Sequence, residues 1–196
     1  FWTMVAHNHG QLWNASKIAA SLGVSAPTTR RYLDLLEDTF LVRQLTPYHA
    51  NVKKRLVKSP KVYLRDSGLL HALARVEDSE MLLGSPLAGS SWEGWVLEQL
   101  ASALPESWPV HFYRTAAGAE IDVVVLPPDG PPVPSEIKHS VAPSPGKGFK
   151  LAFDDIGPRR GNVVCPATER YPLPSAVDAV PAADLAALGE EIAAQA

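Results

Sequence analysis

The chain has 196 residues, a formal net charge of −3 and an ordinary apolar content of 46%, so it can fold as one large domain or two small ones. Cys165 is its one cysteine, which excludes an internal disulfide and fits a reducing cytoplasm. No apolar run approaches the ~20 residues that span a bilayer, and no basic start followed by an apolar stretch marks a secretory leader.

The charge is uneven. Residues 1–65 hold ten Lys and Arg against three Asp and Glu, and the remainder holds eight against eighteen. The basic part is expected to meet an anionic partner or to carry an ordinary solvated basic face. The chain opens at Phe1, and Phe1 to Val5 already reads as helix interior, so a longer protein extending upstream is expected.

In chain order, residues 1–9 predict a short apolar helix. Asn14 is placed to cap a second helix with Ile18, Ala19 and Leu22 on its buried face, and Gly23 to end it. Ser25 caps a third helix with Pro27 in its first turn. There Tyr32, Leu35 and Leu36 are expected to face the core. Ala15 to Asp38 thus reads as a helix-turn-helix. Phe40–Leu45 and Lys61–Leu64 read as the two strands of a wing, joined by the basic stretch Thr46–Pro60. Asp66 caps a helix running to about Arg75. Residues 1–76 are therefore expected to form a winged helix, and 77–90 a linker.

From residue 91 the pattern changes to α/β. A helix spans Ser91 to about Leu104. Strands follow at His111–Tyr113, Glu120–Leu126 and Val133–Lys138, the last two joined by a Pro- and Gly-rich turn. A short helix lies near Lys150–Phe153, a strand at Gly161–Cys165, and an Ala-rich helix runs from Ala182 to the end. The expected fold class is α/β (α+β): a winged helix-turn-helix, then a mixed sheet flanked by helices over 91–196.

The hairpin around Asp129-Gly130 carries the chemistry. A turn centred there sets Asp122 opposite residue 137 within one position, while Glu136 and Lys138 share a strand face. A one-residue bulge in the proline-rich loop would bring Asp122 to the same face. Two carboxylates suffice to hold Mg²⁺ or Mn²⁺ with several waters. A bound metal acidifies a water and stabilises charge on a phosphate, and a neighbouring lysine can orient that water. Asp122, Glu136 and Lys138 are the candidate catalytic residues, with Asp122 and Glu136 as metal ligands. Exposed ion pairs at strand ends are also common without function.

An Asp strand, a turn and a Glu-x-Lys strand after an acidic helix resemble the PD-(D/E)XK nucleases, whose restriction-endonuclease-like fold the second domain is then expected to share. In that likeness Glu93 stands where the superfamily often adds an acidic metal ligand, and Glu120 can assist. Gly94, beside Glu93, weakens a helix by ~1 kcal/mol and is a local departure. More broadly, Ser25–Leu36, Thr39–Tyr48, Lys53–Leu70, Trp92–Leu100, Tyr113–Val123 and Glu136–Lys138 together resemble a known C-terminal domain of unassigned function. That domain follows an AAA+ type ATPase module in many bacterial and archaeal predicted ATP-binding proteins. The resemblance implies an ATPase module upstream as partner. This chain carries no G-x-x-x-x-G-K-[ST] loop, so ATP binding is expected only in that module.

A helix-turn-helix reads DNA with the first residues of its last helix, here Thr28, Thr29, Arg30 and Arg31. Asp34, Glu37 and Asp38 on later turns oppose phosphate, and protein docking is an equal alternative. Lys53, Lys54, Arg55 and Lys58 are the better phosphate contacts, or a solvated wing tip. The histidines and Cys165 read as structural, and Trp92 and Trp95 as packing. The expected function is a DNA-associated region of an ATPase with a Mg²⁺-dependent nuclease site. The alternative is a non-catalytic docking module of the same fold.

Overall fold

The computed structural model describes residues 1–49 and 54–194. The chain is mixed α and β and divides into two compact units. The first is Phe1–Leu45 with Ser59–Trp95, and the second is Thr46–Lys58 with Val96–Ala196.

The first unit begins with α1 (Trp2–His7), β1 (Gln11–Leu12), α2 (Ala15–Leu22) and α3 (Ala26–Asp38). β2 (Val42–Leu45), β3 (Lys61–Leu64), α4 (Ser67–Ala74) and α5 (Ser79–Leu83) follow. The expected caps form. Asn14 accepts from Lys17 N–H at 3.0 Å, Gly23 closes α2 with φ +68°, and Ser25 accepts from Thr28 N–H at 3.3 Å. These contacts satisfy backbone groups that a helix end leaves unpaired. The three strands form one antiparallel sheet in the order β1-β3-β2.

The buried stripe of α3 differs from the expected one. Thr29, Leu33 and Leu36 face the core, while Tyr32 is 43% and Leu35 59% exposed. Thr29 decides the phase: its hydroxyl donates to Ala26 O at 2.9 Å and Ala15 O at 3.2 Å, so a polar residue satisfies itself inside. Tyr32 finds an outer neighbour in Phe1, edge to face at 5.4 Å.

Residues 77–90 are not a bare linker. Asp78 caps α5, and α6 (Leu87–Ala103) starts four residues before the expected Ser91. The two units divide within α6, between Trp95 and Val96. Inside the first unit, Gly94 explains itself. A Cβ there would stand 2.4 Å from His9 Nε2 and 3.3 Å from Tyr63 Cδ1, so only glycine lets α6 close on this buried pair.

The second unit is a six-stranded mixed sheet, β4-β5-β6-β7-β9-β8. β4 (Val110–Arg114), β5 (Glu120–Val125) and β6 (Val133–Ile137) run antiparallel. α7 (Lys147–Ile156) then carries the chain to β7 (Gly161–Cys165), parallel to β6. β8 (Tyr171–Leu173) and β9 (Val177–Pro181) form a closing hairpin with β9 parallel to β7, and α8 (Leu185–Ala194) ends the described chain. Phe149 and Ala152 of α7 pack on Val124, Val163 and Val177.

The basic stretch after β2 belongs to this unit rather than to a free wing tip. Pro47 bridges to Phe112 and Leu56 to Thr115, with Val57 N–H donating to Arg114 O at 3.1 Å. The reason is the outer edge of β4, whose unpaired N–H and C=O groups these segments satisfy.

Candidate functional site

The β5–β6 ladder pairs Val123 with Ser135, Val124 with Pro134 and Val125 with Val133. Continued by one step, it sets Asp122 across from Glu136, within one position of residue 137 as expected. The bulge, however, lies elsewhere than expected. Between His111↔Val124 and Tyr113↔Ile121, β4 advances two residues and β5 three, so the extra residue sits at Asp122–Val123 on the β4 side. Bulges of this kind re-aim side chains beside functional sites. The Asp122 carboxylate reaches β6, where its Oδ2 accepts from Ile137 N–H at 2.9 Å. Ile137 is the residue between Glu136 and Lys138.

Glu136 is a buried acid, 5% exposed. Its Oε1 lies 2.7 Å from Lys138 Nζ, and its Oε2 accepts from Gly146 N–H at 3.1 Å. Gly146 is the N-cap of α7, so the carboxylate sits on the amide-rich start of that helix, where negative charge is favoured. A Cβ on Gly146 would stand 3.0 Å from Glu136 Oε1, so glycine leaves room for the acid. In the sequence, Gly146 stands in a Gly-Lys-Gly run that lacks phosphate-loop spacing. Its pairing with Glu136 comes from the crossover between β6 and β7. The Lys138 side chain is 38% exposed, against 7% for that of Glu136.

The donor set fits a hard divalent ion. Two carboxylates on adjacent strands are what Mg²⁺ takes from a protein, the other positions being waters and substrate oxygens. Among the described residues, no group of three or more His, Cys, Asp or Glu is arranged to hold a metal ion. Glu93, the expected third acid, lies in the first unit. Its Oε1 takes Lys61 Nζ at 3.0 Å and the Tyr63 hydroxyl. Glu120 lies 3.3 Å from Arg114.

The nucleic-acid candidates separate by exposure. Arg30 and Arg31 are exposed on α3, and Thr28 shares its hydroxyl with Ser25 at 2.8 Å. Thr29 is fully buried with its hydroxyl occupied, and so is withdrawn from any ligand. Arg55 and Lys58 are exposed, while Lys53 lies outside the described residues. Lys54 pairs with Asp155 of α7, which also accepts from the Tyr113 hydroxyl at 2.9 Å. Burial, then this carboxylate, push the Tyr113 hydroxyl above its ordinary range, so it stays a donor.

No described helix is long and apolar enough to cross a membrane. The fold and these residues define a two-unit α+β protein with an acid–acid–lysine group at the ends of two central strands. The chain belongs to a family described as a domain of unknown function, DUF4143, matched over residues 88–185 and found after AAA ATPase modules in many proteins. Residues 1–80 match a second domain of unknown function, DUF8612. Uncharacterized protein Mb2031c of Mycobacterium bovis and uncharacterized protein Rv2008c of Mycobacterium tuberculosis are similar to it, each 45% identical over 96% of this chain. The chain spans 42% of the length of these relatives. No solved structure matches it.

Proposed function

We propose that the second unit is a PD-(D/E)XK-type, Mg²⁺-dependent phosphodiesterase domain acting on DNA, attached to an ATPase module in the longer protein. One observation carries this reading: Asp122 bonds the backbone of Ile137 while Glu136 and Lys138, on either side of it, touch each other. Asp122 and Glu136 would hold the ion, Mg²⁺ or Mn²⁺. When bound, it supplies an acidified water and offsets charge on the scissile phosphate. Gly146 N–H holds the Glu136 carboxylate in place from behind. Lys138, half in solvent, directs its ammonium to the attacking water or to a phosphate oxygen. Arg55 and Lys58, exposed on the same unit, draw in the DNA backbone. The first unit, with its helix-turn-helix and two following strands, serves as a winged helix.

Incubation of the protein with DNA and Mg²⁺ or Mn²⁺ tests this, beside Asp122→Ala/Lys138→Ala and Glu136→Gln variants. Cleavage by the parent protein and background rates for both variants are expected. Cleavage that survives the double substitution sinks the assignment.

A specific observation favours a second reading for the first unit. Phe40 is 74% exposed, and with Tyr32 and Leu35 it gives the end of α3 an apolar surface among Asp34, Glu37 and Asp38. Such a surface suits docking to protein better than to phosphate. In that case the whole chain is a docking module controlled by the ATPase. Absence of both cleavage and Mn²⁺ binding, with unaltered folding, decides for it.

A further inference from the structure

The second unit holds a cavity of about 300 Å³ that the phosphodiesterase reading does not use. Its walls are the proline-rich turn after β5, the start of β7 and α8. It lies on the other face of the sheet from Glu136. Ser135, Asn162 and Asp178 are neighbours in register across β6, β7 and β9, and Asn162 and Asp178 line the cavity. Glu136 and Val163 are the next pair along the strands, and successive side chains alternate faces.

Two polar groups here lack partners. Asn162 is 6% exposed, lines the cavity, and makes no side-chain hydrogen bond among the described residues. The Ser135 hydroxyl beside it is fully buried and also without a partner there. The Asn162 amide is not sealed off as that hydroxyl is: solvent reaches it on the cavity wall, and a bound molecule can take that solvent's place.

The charges specify the kind of ligand. Arg170 grips Glu191 with two contacts, 2.8 and 2.7 Å, and lies 3.6 Å from Asp178, so it is a fixed part of the wall. Arg160 is 3.9 Å from Asp178, beyond hydrogen-bond distance, and Arg159 has no ion pair among the described residues. Three guanidiniums against two carboxylates leave one positive charge and two forks able to grip an oxyanion. Pro131, Leu188 and Ile192 add an apolar wall. The volume is at the small end of ligand pockets, which run about 300–1,000 Å³.

We propose that this cavity binds a small organic anion, a carboxylate or phosphomonoester joined to a compact apolar body. Arg159 and Arg160 hold the anion, Asn162 bonds a polar group of the ligand, and the proline turn and α8 cover the body.

Calorimetric titration of the full chain with phenyl phosphate, benzoate and inorganic phosphate tests this. At least one aryl anion should bind one to one, about tenfold or more tighter than inorganic phosphate, and the stronger of the two identifies the anion. Losing a charge-assisted hydrogen bond costs about tenfold or more in affinity, so Arg159→Ala/Arg160→Ala should weaken that binding by at least this factor. Both arginines are exposed, so this variant folds even if Asn162→Asp, expected to weaken binding similarly, does not. Glu136→Gln, on the other face, should leave the affinity unchanged, whatever its effect on DNA cleavage. The proposal fails if neither aryl anion binds, if inorganic phosphate binds as tightly as both, if the double arginine variant keeps full affinity, or if Glu136→Gln weakens binding equally.

Discussion

Lys61 meets Glu93 at 3.0 Å in the first unit, and Lys138 meets Glu136 at 2.7 Å in the second. The residue types are the same and the surroundings are opposite. Lys61 sits within β3, 3% exposed, and Glu93 also takes the Tyr63 hydroxyl. Tyr63 packs edge to face on His9 at 5.3 Å. Here the lysine is the buried member, and Glu93, its side chain 22% exposed, is held by two donors. Lys138 stands at the end of a strand with its side chain partly exposed, beside Glu136 and the strand that carries Asp122. Each pair has one buried and one partly exposed member, so what sets the second apart as a candidate site is that its buried member is the acid and a second acid is at hand.

The sharpest way to break this comparison is to remove each acid. Glu93→Ala leaves a buried ammonium without its counterion, and should cost about 4 kcal/mol. Glu136→Gln keeps a polar group on Gly146 and should cost about 1 kcal/mol or less. Urea unfolding of the two variants measures both, and equal losses would erase the distinction.

Next in size is a pH effect at His9, beside Tyr63. His9 Nδ1 accepts from Leu64 N–H at 3.0 Å, so its proton is on Nε2, which donates to Ser90 O at 3.0 Å. Burial lowers its pKa from 6.5 to about 4, against the Ser90 bond, with a smaller contribution from His71. The folded form then binds fewer protons than the unfolded chain between these values. Stability is full above pH 6.5 and declines as the pH falls toward 4, by about 3 kcal/mol for this group. Urea melts at pH 7 and pH 4.5 should show the decline in the parent, and a clearly smaller one in His9→Gln.

Gly94→Ala, whose methyl would meet His9 Nε2 at 2.4 Å, should destabilise by about 2 kcal/mol through overpacking. A thermal melt that matches the parent would mean that the contact between α6 and His9 is looser than described. The smallest effect expected is for Thr29→Val, which deletes two hydrogen bonds and should cost about 1 kcal/mol. Unchanged DNA affinity in that variant would fit a residue turned inside, and a large drop would return Thr29 to the surface.

Much of the fold was legible because its signals are local. Asn14, Gly23, Ser25 and Asp66 cap helices as their chemistry requires. Gly161–Cys165 and Lys61–Leu64 form strands within the expected bounds. The hairpin β8–β9 was not legible. Pro172, Pro174 and Pro181 interrupt any strand pattern, and the turn uses Ser175 and Ala176 at φ +68° and +55° in place of glycine. For the site, Glu136 and Lys138 could be placed on one strand face from spacing alone. The position of Asp122 depends on ladder register and on a bulge, neither of which leaves a mark in the sequence. Asn162 was hidden in an apolar strand, since only the cavity wall reveals that its amide is unpaired.

By itself the amino-acid order determined the helix ends, most strands and the short list of acids and cations with chemical potential, because these follow from contacts within a few residues. Tertiary structure decided which of those charges meet. It assigned Glu93 to Lys61 and Glu136 to Lys138, sent the basic stretch after β2 to the edge of β4, and turned Thr29 inward. The physical reason is that a charge or an unpaired backbone edge takes the partner that packing brings within hydrogen-bond reach, and packing is a property of the whole chain.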